Sequence, residues 1–201
     1  MERFDLLHTI HEALRHAMIT FNLQSGKTDF TNLDAVRALT ASWNELGDNL
    51  GSHARHENEV IFPLLHDRAP GEPRHPYGWA EEVEGLRDDH ARIERLETEI
   101  GDLLQQITQV PEPSKRRLLG RELHRSIQRY TAMCLLHFDD EERHFMPRVW
   151  ALYDDEELAG TFERVMAMVS PKEREYGMAH MVEALDPLEL EELRAQMPMA
   201  D

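Results

Sequence analysis

The sequence predicts an all-α protein: a four-helix bundle running up-down-up-down, followed by additional C-terminal helices. Three observations predict it. Four long segments, about 3–23, 30–66, 79–109 and 114–146, carry apolar residues at 3-4 spacing, without period-2 alternation or β-branched runs. The breaks at 24–29, 67–77 and 110–114, and a further one near Pro147, are polar or rich in Gly and Pro. With 201 residues, 41% apolar and 30% charged, the chain is globular by composition and long enough for one substantial core plus an appendage.

Each element rests on its own stripe. The first segment gives Phe4, Leu7, His11, Leu14, Met18 and Phe21. The second gives Val36, Leu39, Trp43, Leu46, Leu50, His53, Glu57, Val60 and Leu64. In the third, Trp79, Val83, Leu86, His90, Ile93, Leu96, Ile100 and Leu104 share a face; in the fourth, Leu123, Ile127, Tyr130, Cys134, His137, Glu141 and His144. This spacing describes helices crossing at a shallow angle, and the short breaks favour antiparallel neighbours. Beyond Pro147, Asp154 or Asp155 caps a helix to about 169, Ser170-Pro171 opens one to about 185, and Asp186-Pro187 a third to about 197. The expected division is therefore a bundle over 1–149 and a helical extension over 150–201 that packs on the bundle or on a partner.

The formal charge is −17, from 22 basic and 39 acidic residues, and the extension alone holds 13 acidic and 4 basic ones. Such a surface repels phosphate backbones and anionic lipid, so nucleic acid and membrane are not expected partners. The single cysteine, Cys134, excludes an internal disulfide and a Cys-based zinc site. No apolar run reaches the ~18 residues of a spanning helix, and the opening Met-Glu-Arg-Phe-Asp lacks a signal-peptide pattern. A cytoplasmic location is expected.

The anomaly lies inside the stripes. Twelve histidines are many for this length, and each of the four segments places one where an apolar residue belongs. Buried polar groups need partners, and a buried carboxylate without one costs several kcal/mol. His53-Ala-Arg-His-Glu57, His90-Ala-Arg-Ile-Glu94 and His137-Phe-Asp-Asp-Glu141 all read His-x-x-x-Glu, and residues four apart share a helix face. The second and fourth segments also share a proline ten residues after the histidine, Pro63 and Pro147, which suggests approximate two-fold symmetry. The predicted metal ligands are His11, His53, Glu57, His90, Glu94, His137 and Glu141, with Ile93 competing with Glu94 for the inward position. Seven donors exceed one tetrahedral zinc. They suit two five- or six-coordinate ions with an oxo or hydroxo bridge and an open position. Imidazole plus carboxylate favours iron, with zinc or manganese as alternatives. Glu142, five after His137, leaves the stripe by about 100°. Arg15 reads as a surface charge or a partner of a site carboxylate. Tyr130 and Cys134 read as core; the alternative is a role beside the site, with Tyr130 giving a hydrogen bond or an electron near a bound molecule. His8, His16, His56, His124 and His144 read as surface or supporting residues.

Over roughly residues 5–150 this pattern resembles the hemerythrin-like, or HHE cation-binding, family. His11-Glu-Ala-Leu-Arg15, the run from His53 to Leu65 and the run from His137 to Pro147 carry the resemblance. It departs from the five-His, two-carboxylate set of oxygen-carrying hemerythrins, having Glu94 where a second histidine is expected. The more carboxylate-rich set is similar to bacterial HHE proteins and to the iron-sensing F-box hemerythrin domain. The resemblance implies a non-haem two-iron protein that binds O2, NO or peroxide for sensing, detoxification or iron handling. Two rival readings use the same site: a peroxide-decomposing enzyme, and a metal-stabilised interaction module whose C-terminal helices contact a protein partner or a second copy.

Overall fold

The computed structural model describes residues 3–68 and 79–196, apart from the side chains of 79–82 and 195–196. The expected break at 67–77, the Trp79 side chain and the end of the last helix at 197 lie wholly or mainly outside the described residues. Every regular element among the described residues is helical. They are α1 (His8–Lys27), α2 (Leu33–His56), a π-helical turn π1 (Glu57–Ile61), α3 (Pro63–Arg68), α4 (Trp79–Gln109), α5 (Pro113–Asp140), a second π-helical turn π2 (Glu141–Phe145), α6 (Met146–Leu152), α7 (Asp155–Met168), α8 (Pro171–Ala184) and α9 (Pro187–Gln196). None of these is long and apolar enough to cross a membrane.

Local chemistry sets the ends. Asp5 accepts from the Leu7 and His8 amides, so α1 begins five residues later than the apolar pattern suggests. Asn32 caps α2, and Pro113 sits in the first turn of α5, where its missing N–H is not needed. Asp154 with Glu157, and Ser170 with Glu173, form capping boxes at α7 and α8.

The expected end near Pro147 is not an end. At both π1 and π2 the backbone widens: the Phe62 amide donates to the Glu57 carbonyl at 2.8 Å, and the Met146 amide donates to the Glu141 carbonyl. A proline inside an α-helix lacks its donor and strikes the carbonyl four residues back. The wide turn carries the chain past that conflict at Pro63 and Pro147, and the helix resumes as α3 and α6. It also advances the inward face by one residue. Ile61 is buried where the sequence pattern points to Val60, and Phe145 is buried while His144, on the predicted stripe, is exposed.

α1 packs on α2 and α5, and α4 packs on the same two helices. α4 and α5 run antiparallel, since His90 meets His137 and Glu97 meets Tyr130. Two apolar clusters fill the interior. One, from Leu14, Phe21, Trp43, Leu46, Ile100, Leu104, Ile127 and Phe138 among others, lies on one side of the histidine layer. The other, including Leu7, Ile61, Phe62, Leu86, Phe145, Val149 and Leu158, lies on the far side. The extension joins both: α7 gives Leu158 to the second cluster, and α8 lies along α1, with Gly177 close to Ile10.

Far from the histidines, Arg116 ties two connections together. It is 6% exposed and donates to the carbonyls of Phe30, Thr31, Val110 and Pro111 at 2.8–3.2 Å. Beside it Gly120 lets the Phe30 ring lie flat on α5, where a Cβ would run into the ring. Arg116→Ala leaves those carbonyls short of donors and is expected to cost about 3 kcal/mol. Arg116→Lys is expected to recover only part, because an ammonium lacks the fork that reaches four oxygens. Urea unfolding measures both.

Candidate metal centre

The centre is a buried layer between the two apolar clusters, with donors from α1, α2, α4, α5 and both π turns. His11 comes from the second turn of α1 and His53 from the last turn of α2; His90 lies mid-way along α4 and His137 in the last turn of α5. Glu57 and Glu141 each open a π turn, so among the described residues the two π-helical turns are the two that carry the inward carboxylates. His11, Glu57 and Glu141 are 0% exposed, His137 2% and His53 8%.

All four imidazoles turn Nε2 inward. His53 Nε2 lies 2.7 Å and His11 Nε2 3.5 Å from Glu57 Oε1, while His90 Nε2 lies 3.2 Å from Glu57 Oε2. His11 Nε2 is 3.4 Å from Glu141 Oε2, and His137 Nε2 is 3.3 Å from Glu141 Oε1. Each carboxylate thus offers one oxygen to each side. The donors fall into two groups, His11–His53–Glu57–Glu141 and Glu57–His90–His137–Glu141, whose ligand atoms lie within 4.8 Å of one another. Both groups contain both glutamates. Within each group the two Nε2 atoms face each other, at 3.1 Å for His11 and His53 and at 2.8 Å for His90 and His137.

The structure brings six of the seven predicted ligands together. Glu94 is exposed and belongs to neither group, and Ile93 takes the inward position, packing on the core. The physical reason is phase: Ile93 packs on the core, and Glu94 falls about 100° further round α4, on the exposed side. Tyr130 lies two turns from the histidine layer, its hydroxyl donating to Glu97 Oε1 at 2.7 Å.

Residues outside the predicted ligand set surround the centre. Glu142 Oε1 accepts from His11 Nδ1 at 2.8 Å, and its other oxygen accepts from Arg15 at 2.9 Å. A carboxylate on the outer nitrogen leaves Nε2 with its lone pair inward and makes it a stronger donor to a cation. The offset that takes Glu142 off the stripe suits this role, because the outer nitrogen of His11 lies to one side of the centre. Asn58 Nδ2 sits 3.0 Å from His90 Nδ1. Phe138 stacks on His11 with centroids 4.1 Å apart, and Phe62 stacks on His90 at 5.5 Å.

The electrostatics are strained without a cation. Burial and the neighbouring Glu57 charge hold Glu141 well above the usual carboxylate range. Burial opposes the charge on Glu57 as well, but His53, His11 and His90 outweigh it and hold that carboxyl well below the range. Burial pushes His137 down to about 3 and lowers His53. His11 moves the other way: burial works against its charge, yet Glu142 and Glu57 raise it. Burial likewise opposes Glu142, but His11 and Arg15 bring it down to about 2. All four oxygens of Glu57 and Glu141 lack a partner in hydrogen-bond geometry, despite the imidazoles nearby. Buried carboxylate oxygens of this kind require protons or cations. Two cations, each reached by two imidazoles and one oxygen of each carboxylate, satisfy every one of them, so the donor set fits a pair of metal ions.

No protein-family model, curated protein or solved structure matches this chain. Among the described residues its fold is all-helical, and two His/Glu groups could hold metal.

One pH dependence follows for the metal-free protein. The pKa of His137 is about 3 when folded, against the ordinary 6.5, so the unfolded chain takes up the proton first. Stability from this residue is full above 6.5 and is lost as pH falls toward 3. Relative to His137→Gln, the metal-free wild type is expected to lose up to about 1.4 kcal/mol per pH unit across that window. Denaturant titrations at stepped pH measure it, and a pH-independent difference would contradict a neutral buried imidazole.

Proposed function

We propose that this chain is a hemerythrin-like, up-down-up-down four-helix protein holding two non-haem irons, and that it binds O2, NO or peroxide for sensing, detoxification or iron handling. The observation that carries the reading is the pair of His/Glu groups sharing Glu57 and Glu141, with one oxygen of each carboxylate facing each group. Two carboxylates cannot neutralise two divalent ions, so the pair favours an added anion or an electron-rich small molecule. Two imidazoles and two carboxylate oxygens per ion leave one or two positions of a five- or six-coordinate shell. Mixed imidazole and carboxylate donors favour iron over a thiolate-seeking metal. An iron pair supplies open coordination positions and one-electron steps.

The chain's own residues prepare that chemistry. Glu57 and Glu141 would hold both ions, and loading them would displace the proton that burial favours on Glu141. Glu142, held by Arg15, fixes the ring of His11 and its donor nitrogen. Asn58 orients His90; a half-turn of its amide presents Oδ1 to the Nδ1 proton that a bound imidazole carries. Phe138 and Phe62 keep water off the flanks and strengthen every interaction inside.

Anaerobic addition of ferrous iron is expected to load two ions per chain, measured by elemental analysis after gel filtration. Glu57→Ala is expected to abolish the paired stoichiometry, because both ions lose an oxygen donor. A wild-type chain that refuses two ferrous ions, or takes only zinc or manganese under competition, contradicts the iron reading. Glu142→Ala is expected to weaken iron binding by about 10–100-fold in chelator competition, with both ions still able to bind. An unchanged affinity would contradict the positioning role of Glu142.

A further inference from the structure

We infer that Tyr130 is an internal one-electron donor to the metal pair, with Glu97 taking its proton as the electron leaves. The inference rests on the two-iron reading above.

Its basis is register. α4 and α5 are antiparallel, and the Glu97–Tyr130 contact stands seven residues from the His90–His137 contact on both helices. The pair therefore sits two turns, about 10 Å, along the axis from the metal layer. Cys134 lies between, one turn from Tyr130 and one from His137 on the same face of α5, and is 1% exposed. Tyr130 is also 1% exposed, and the Trp43 ring meets it edge-on with centroids 5.3 Å apart. Tyr130, Cys134 and Trp43 are oxidisable side chains in one packed cluster directly beside the ligand layer.

A buried phenol needs a hydrogen-bond acceptor, and a carbonyl would serve. Here the acceptor is a carboxylate, which can also keep the proton. Glu97 is half-buried, so it touches solvent as well as Tyr130 and can pass the proton outward. Burial raises the Glu97 carboxyl, making it the better base. Burial, with Cys134 and Glu97, also raises the Tyr130 phenol well above its ordinary value, so phenolate is not populated and the proton leaves only with an electron.

The step balances with a hydroperoxide as oxidant. Cleaving the O–O bond of hydrogen peroxide consumes two electrons and yields two hydroxides. A metal pair supplying only one would release a hydroxyl radical. Tyr130 supplies the second electron: its O–H bond breaks, the proton moves to Glu97, and a neutral tyrosyl radical remains while the metal pair ends oxidised by one electron. The device completes peroxide reduction inside a water-poor core.

The test uses full-length protein loaded with two irons, poised one electron short of fully oxidised, mixed with one equivalent of hydrogen peroxide and freeze-quenched for electron paramagnetic resonance. The expected result is a tyrosyl signal whose hyperfine width narrows in protein grown on ring-deuterated tyrosine. Tyr130→Phe is expected to lose it at unchanged iron content. Glu97→Gln is expected to keep the hydrogen bond and slow radical formation on the order of a hundredfold. Iron oxidation without a protein radical, or the same signal in Tyr130→Phe, overturns the inference and leaves the two-iron reading standing. Failure to load two irons before peroxide is added overturns both. Should Tyr130→Phe fold poorly, the triple variant Tyr77→Phe, Tyr153→Phe, Tyr176→Phe carries the same test: it is expected to keep the signal, and its loss there overturns the inference.

Discussion

Two carboxylates buried side by side are the constraint on which the rest of the molecule depends. Glu57 and Glu141 are wholly excluded from solvent, and their four oxygens lack hydrogen-bond donors in good geometry. An uncompensated buried charge costs several kcal/mol, more than a typical buried aliphatic side chain returns. Among the described residues, the groups that meet these oxygens are four imidazole nitrogens. Imidazole is a cation ligand when neutral, and burial keeps His53 and His137 neutral. These donors therefore call for protons or cations, and a pair of cations would satisfy them together.

The backbone is shaped to deliver that layer. α2–π1–α3 and α5–π2–α6 repeat one plan: histidine, glutamate four later at the start of a π turn, proline six after that. The wide turn accommodates the proline and rotates the following apolar residues, so that Ile61 and Phe145 seal the layer from below. The two halves nevertheless differ in their outer contacts. His11 is held by Glu142 and Arg15, whereas His90 meets an amide and the buried Nδ1 of His137 has no hydrogen-bond partner. Equal ligands with unequal support make the two positions chemically distinct, with the His11 side more electron-rich.

Much of this was legible in the chain itself. Four stripes at 3-4 spacing announced the long helices, and polar residues intruding at matched depth announced the six donors that meet. Asp154, Ser170 and Asp186 marked the tail helices through ordinary capping chemistry. What escaped the reading has a common cause. The pattern assumed 3.6 residues per turn throughout, so it followed the stripe to Val60 and His144 and took Pro147 for a break. A proline six residues after an inward glutamate, in a segment that otherwise stays helical, is the signal for the wide turn. The recurring His-x-x-x-Glu points to Glu94, although Ile93 fills the inward position. Glu142 was set aside for leaving the stripe, because a residue that supports a ligand from outside obeys a different angle from the ligand itself. Contacts such as Asn58 to His90 or Tyr130 to Glu97 join separate helices, and no spacing within one helix encodes them.

The central claim is that Glu57 and Glu141 hold two irons at once. X-ray absorption at the iron edge of the reconstituted protein tests it most directly. The account predicts a mixed shell of nitrogen and oxygen donors with an iron scatterer at about 3.5–4 Å, the separation of two-metal sites. A shell of light atoms with no iron neighbour, in protein containing two irons per chain, would contradict it.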